Sequence, residues 1–274
     1  MGENLGRCLI CQADSPETSS NLGVCIRCIR NRSDEALKIT DRKHVESRER
    51  YGLPASPPND SEGLRCGLCA NDCKIGPRRK GFCGLVSNVD GKLIRYGGTV
   101  EKGVLQWYYD PLPTNCVAWW FCPGCTGAGY PKYAHKPGPE TGYVNLAVFY
   151  GACSYDCLFC QNWHYRSLSA RREPAVSAKS LAEKVDERVS CICYFGGDPS
   201  VQLPHALKTS EIAFEVGGKR RILRICWETN GYMTGSLEKA ARLSLDSGGV
   251  MKFDLKAWDE DLNRALCGVS NKPR

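Results

Sequence analysis

A chain of 274 residues, 42% hydrophobic and 24% charged, suits a soluble globular protein of one moderate domain with smaller modules, or of two domains. No apolar run approaches the roughly 18 to 20 residues of a membrane helix and the first eight residues have no signal-peptide core, so no membrane role is expected. The net charge of +7 is spread thinly, with residues 1–65 balanced, 66–145 carrying +4 and 146–274 carrying +3. The triplets Arg78-Arg79-Lys80 and Lys219-Arg220-Arg221 therefore read as solvated turns, and nucleic acid is not an expected partner.

Eighteen cysteines without an export signal point to the cytoplasm, with thiolates on metals rather than in disulfides. The first set, Cys8, Cys11, Cys25 and Cys28, forms two CxxC knuckles within residues 1–32. Four thiolates on paired turns suit structural zinc, which supplies the stability that so small a module cannot draw from apolar burial. A rubredoxin-like iron or a cluster uses the same ligands. Residues 33–64 read as a polar, exposed helix capped by Ser33, followed by a proline-rich boundary from Leu53 to Gly63.

Residues 65–142 open on a second set, Cys66, Cys69, Cys73 and Cys83, spaced to enclose zinc or an auxiliary [4Fe–4S] cluster. Asp90-Gly91 marks a hairpin. Cys116, Cys122 and Cys125 are candidates for a third metal, although no fourth ligand is evident, and cysteine also packs as a small apolar residue. Trp119, Trp120 and Phe121 read as core in preference to a partner surface.

From residue 143 onward, strands alternate with helices, the mark of an α/β fold with a parallel sheet. Strands are expected over 144–150, 191–195, 221–227 and 250–255. One helix is expected from a Ser177 cap to about Val189, with Leu181, Val185 and Val189 on one face. Another is expected over 236–245, with Leu237, Ala240, Ala241 and Leu245 inward. Ligands gather at the carboxyl ends of such strands, so the loops that follow them belong on one face.

The loop after the first of these strands carries Cys153, Cys157 and Cys160 in a C-x3-C-x2-C spacing. Three thiolates can hold a cuboidal cluster of four irons and leave one iron open. A zinc site completed by His164 is the plainer use of the same residues.

With Phe159 before the last cysteine, this motif resembles the signature of the radical S-adenosylmethionine (SAM) superfamily. The resemblance implies a [4Fe–4S] cluster on Cys153, Cys157 and Cys160 whose open iron binds SAM and cleaves it reductively to a 5′-deoxyadenosyl radical. Gly196-Gly197-Asp198-Pro199 looks like the motif that binds the SAM amino group. Thr229 and Asn230, and Asp254 and Lys256, resemble loops around the ribose, the carboxylate and sometimes a cation in glycyl-radical-enzyme activating enzymes.

With the closing Cys267-Gly-Val-Ser-Asn-Lys272, residues 145–272 resemble the pyruvate formate-lyase activating branch, and the leader at Cys66 resembles that of some activase-like members. This implies a glycyl-radical protein substrate and a low-potential donor of flavodoxin or ferredoxin type. Modification of RNA or a small molecule, and an inactive metal-binding module, are the alternatives. Two departures from the branch are Asp198 and Glu228, where it commonly has Glu and Asp. About four βα units are present where the (β/α) barrel of this superfamily usually has six, so the core 143–274 is expected to be an incomplete barrel with an unpaired edge.

Overall fold

The computed structural model describes residues 6–114, 116–217, 222–233 and 235–272; the basic triplet at 219–221 lies outside the described residues. Six strands form the central sheet: β1 (Gly103–Pro111), β2 (Val144–Tyr150), β3 (Ala175–Val176), β4 (Val189–Gly196), β5 (Arg224–Thr229) and β6 (Met251–Phe253). Across the sheet they run β6-β5-β4-β2-β1-β3. The strands expected from the alternating pattern, β2, β4, β5 and β6, are parallel neighbours in sequence order, with β6 at an edge. β1 was not among them. It lies antiparallel along β2, so the cysteine-rich leader contributes a strand to the sheet.

The helices are α1 (Ile26–Asn31), α2 (Ser33–Glu49), α3 (Tyr165–Arg171), α4 (Ala178–Ala182), α5 (Leu203–Gly217), α6 (Leu237–Ser247) and α7 (Glu260–Cys267). The period of two along the strands separates the faces of the sheet. Leu146, Val148, Tyr150, Ile192, Tyr194, Ile225 and Trp227 pack with Leu181, Leu203, Ala206 and Ala240 in the main core. The alternate residues, Asn145, Ala147, Cys191, Cys193, Cys226 and Glu228, face the opposite side and line a cavity there. The chemistry is on this second face.

Several sequence expectations need correction. The helix after Ser177 ends at Ala182, and Asp186 turns the chain by accepting from the Arg188 amide at 2.9 Å. Leu181, Val185 and Val189 are all buried, so the fourfold spacing reported burial through a turn and not one helix. On α6, Ala240 and Ser244 face inward while Ala241 and Leu245 are exposed. The serines take the inner positions because they bond the start of β5: Ser244 Oγ donates to Ile225 O at 2.8 Å, and Ser247 Oγ accepts from Ile225 N at 2.9 Å.

Trp119, Trp120 and Phe121 are 60%, 63% and 45% exposed, not core. They occupy a turn before the single-turn helix Pro123–Thr126, and Trp120 and Phe121 pack edge to face on each other. Nor is α2 an exposed helix. Arg32, not Ser33, precedes its first turn, and Ala36, Leu37, Thr40, His44 and Arg48 are buried. Ala36 and Leu37 share a core with Cys8, Cys28 and Ile29 and with Ala265 of α7. The expected hairpin does form, with Val89 opposite Lys92 and positive φ at Asp90 and Gly91.

One buried histidine supplies a pH prediction. His205 Nε2 donates to Val176 O at 2.9 Å, and the Tyr150 hydroxyl donates to Nδ1 at 2.8 Å, so the ring is held neutral. Burial pulls its pKa down to about 4. Between pH 6.5 and about 4 the unfolded chain binds the extra proton, so stability falls on acidification through that window, by up to about 3 kcal/mol. Urea melts at pH 7 and pH 4.5 should show this loss, and His205→Gln should reduce it.

Candidate functional site

The loop leaving β2 begins with Gly151 N donating to Val104 O at 2.9 Å and carries Cys153 and Cys157, both buried, and Cys160, half-buried. All three line a cavity of about 310 Å3. Phe159, Gly196, Gly197, Asp198, Asn230, Asp254 and Lys256 line the same cavity. Three strand ends and the cysteine loop thus converge as the parallel-sheet argument requires. Thr229 lies just behind the wall, 1% exposed. Lys256 Nζ pairs with Asp254 at 3.0 Å across the mouth.

The Gly196–Asp198 turn is tied to the cysteine loop by backbone. Gly197 N donates to Tyr150 O at 2.8 Å and Asp198 N to Ala152 O at 2.7 Å. A Cβ on Gly197 would stand 2.0 Å from the Ala152 carbonyl oxygen, so this position admits glycine alone. The Asp198 carboxylate accepts from Ser200 N at 2.8 Å, from Thr229 Oγ1 at 2.9 and 3.1 Å, and from Asn230 N at 2.7 Å. Its first task is to join two strand-end loops. Asn230 reaches onward, donating from Nδ2 to Ser154 Oγ at 2.9 Å and to Cys153 Sγ at 3.9 Å.

Sequence reading missed the residue that anchors the loop. Asp156, between Cys153 and Cys157, is 0% exposed and receives His44 Nδ1 at 3.0 Å, Arg48 Nη1 at 3.5 Å and Arg166 Nη2 at 2.7 Å. Burial opposes the charge, but the His44 hydrogen bond and the two guanidinium groups hold the carboxyl below its ordinary range. Asp156 N also donates to Cys267 O at 2.8 Å, and Leu158 N to Leu266 O at 3.0 Å, strapping the loop to the end of α7. The available signal was His44 and Arg48 one turn apart on α2.

Burial raises the thiol pKa of Cys153 and of Cys160, and the contact with Cys267 Sγ at 3.5 Å, then burial, raises that of Cys157. A metal therefore has to displace protons as it binds. The trio fits a cluster better than one ion. His164, proposed as a fourth zinc ligand, stacks on the Phe149 ring with centroids 4.2 Å apart. Tyr155 N donates to Cys153 Sγ at 3.3 Å, a contact that favours the thiolate form.

Cys8, Cys11, Cys25 and Cys28 differ in scale. Their sulfurs lie within 4.8 Å of one another, with Cys11 and Cys25 3.8 Å apart. Four thiolates about 2.3 Å from a tetrahedral ion stand about 3.8 Å from each other, so this set can hold a single metal ion. Cys66, Cys69, Cys73 and Cys83 line one small cavity, with Arg95 Nη1 3.7 Å from Cys66 Sγ. Among the described residues, only the first set is gathered to single-ion spacing.

Residues 147–273 match the family described as the Radical SAM superfamily, and a radical SAM domain is therefore present in this chain. Such a domain implies an iron–sulfur cluster and SAM. An uncharacterized protein of Methanocaldococcus jannaschii is 26% identical over 220 residues, which cover 78% of this chain and 55% of that protein. The chain thus spans about half the length of this curated relative. No solved structure matches. No helix among the described residues is long and apolar enough to cross a membrane.

Proposed function

We propose that Cys153, Cys157 and Cys160 hold a [4Fe–4S] cluster with one open iron, at which SAM is bound and reductively cleaved, and that the hydrogen then removed comes from a glycine of a partner protein. The observation that carries this reading is the single cavity in which the three cysteines meet Gly196, Gly197, Asn230, Asp254 and Lys256. When bound, the cluster and SAM together supply a carbon radical strong enough to take hydrogen from an unactivated C–H bond.

The residues of this chain do the rest. Asp254 and Lys256 offer charges of both signs to the amino acid end of SAM, and Asp198 fixes the two loops that flank it. Support for a protein substrate comes from the apolar rim. Val117 lines the cavity and is 62% exposed, Trp119 to Phe121 follow it, and Phe159 and Trp163 are more than half exposed. A flavodoxin- or ferredoxin-type donor would deliver the electron. The N-terminal module buries its core against α7, which supports a structural zinc module more than an RNA-reading arm.

Cluster assembly without oxygen, followed by reductant and SAM, should yield 5′-deoxyadenosine, and Cys157→Ala should yield none. Supplied with peptides carrying Cα-deuterated glycine, the enzyme should transfer deuterium into 5′-deoxyadenosine. Cleavage without transfer would argue for RNA or a small molecule as substrate, while no cleavage would overturn the reading as a whole. At the N-terminus, one zinc per chain should be found, and Cys11→Ser with Cys25→Ser should release it and expose residues 6–32 to protease.

A further inference from the structure

Eleven of the eighteen cysteines belong to the three sets above, and seven do not: Cys116, Cys122, Cys125, Cys191, Cys193, Cys226 and Cys267. Several of the seven are held by other groups of the protein. Cys267 meets Cys157 at 3.5 Å, Cys191 donates to Asn145 Oδ1 at 3.4 Å, and Cys125 donates to Thr114 O at 3.7 Å. Four of the seven, Cys116, Cys122, Cys193 and Cys226, line one cavity of about 180 Å3 on the open face of the sheet, with Cys191 beside them. It adjoins the first cavity, with Val117 and Glu228 in the walls of both.

We propose that Cys116, Cys122, Cys193 and Cys226 hold an iron–sulfur cluster inside this chamber, a centre separate from the one on the C-x3-C-x2-C loop. The fold brings the four together from distant places. Cys193 and Cys226 are direct cross-strand partners in the β4–β5 ladder, so their side chains leave the sheet on the same face, side by side. Cys116 and Cys122 come from the segment that roofs the chamber. The strands thus supply two ligands to join Cys116 and Cys122, and Cys125 is not needed.

The sulfurs are placed as acceptors. Ala118 N donates to Cys116 Sγ at 3.4 Å, and Val250 N to Cys226 Sγ at 3.4 Å. Lys252 Nζ lies 3.1 Å from Cys116 Sγ and 3.5 Å from Cys193 Sγ. The same N–H to sulfur contact occurs at Cys8, from Cys25 N at 3.4 Å, and at Cys153, from Tyr155 N at 3.3 Å, in the two sites described above. Such donors stabilise thiolates, and the ammonium offsets part of their charge.

Ordinary packing explains this less well. Cysteine buried as a small apolar residue fills space, whereas these four surround a void that also receives a lysine head group. Among the described residues they are not drawn together like the N-terminal set, which favours a cluster over a single ion. Thiolates select soft metals, and a void among four of them leaves room for iron and sulfide.

The test uses the full chain, loaded anaerobically with iron and sulfide and then desalted. In a background of Cys153→Ala, Cys157→Ala and Cys160→Ala, iron and acid-labile sulfide are counted before and after adding Cys193→Ser with Cys226→Ser. The inference expects equal losses of iron and sulfide, about two to four of each per chain, and loss of the matching Mössbauer component. Cys116→Ser with Cys122→Ser, which alters the other wall, should cause the same loss. Circular dichroism checks the fold of each variant, and the single exchange Cys193→Ser replaces any pair that fails to fold. Unchanged iron and sulfide in the folded variants, or loss of zinc in their place, would overturn the inference.

Discussion

Asp156→Ala is expected to destabilise the protein by about 3 to 5 kcal/mol and to empty the C-x3-C-x2-C loop of iron. The carboxylate is fully buried beneath His44, Arg48 and Arg166, so its removal strands two guanidinium groups where water cannot reach them. Arg48 has other anchors. It donates from Nε to Pro54 O at 2.5 Å, bonds Phe82 O, and lies 3.6 Å over the Phe82 ring. His44 also bonds Ala265 O at 3.1 Å and Arg166 bonds Cys157 O at 3.2 Å, but Asp156 is the group that joins all three to the cysteine loop.

The losses should therefore appear together. Thermal melts should report a lower midpoint, iron analysis an occupancy of the trio well below that of the parent, and limited proteolysis faster cutting near residues 50–60. Asp156→Asn, which keeps shape and loses charge, should fall between. A variant with parental stability and iron content would show that the hub has no role in holding the loop.

Gly197→Val is expected to weaken SAM binding at least tenfold, a change of about 1.4 kcal/mol or more. The new Cβ would meet backbone, 2.0 Å from Ala152 O and 2.6 Å from Ala152 C, so no side-chain rotation relieves it. Either the Gly196–Asp198 turn moves away from the cavity, or Ala152 moves and carries Cys153 with it. In both cases the SAM pocket changes shape while the helices on the other face stay packed. Equilibrium binding of SAM to the loaded protein separates this from general unfolding, because the far-ultraviolet dichroism should stay close to parental. Unchanged affinity would place SAM away from this turn.

What could be read from the sequence was local. The apolar run from Leu146 to Tyr150 marks a buried strand, and it lies within the strand Val144–Tyr150. Cysteine spacing likewise marked out candidate sets at Cys8, Cys66 and Cys153, each within one short segment, and the structure gathers the Cys8 set to single-ion spacing. Features that needed distant pairing were hidden. Gly103–Pro111 joins β2 antiparallel through a register that no local pattern states.

Asp156 reads as one polar residue in a loop until α2, more than a hundred residues earlier, is laid against it. Cys193 and Cys226 read as strand filler until the ladder sets them side by side. The error at Leu245 has a different origin. Apolar periodicity marks a helix face, yet on α6 two serines outcompeted leucine for the inner position because they could bond the Ile225 backbone.

On the proposed function, Cys153, Cys157 and Cys160 grip a cubane with one corner left for SAM. Electron paramagnetic resonance of the loaded, reduced protein, recorded with and without SAM, tests it most directly. The expected result is a [4Fe–4S]+ signal whose g-values shift on adding SAM, with both signal and shift lost in Cys157→Ala. A signal that ignores SAM, or zinc alone bound at these three cysteines, would contradict it.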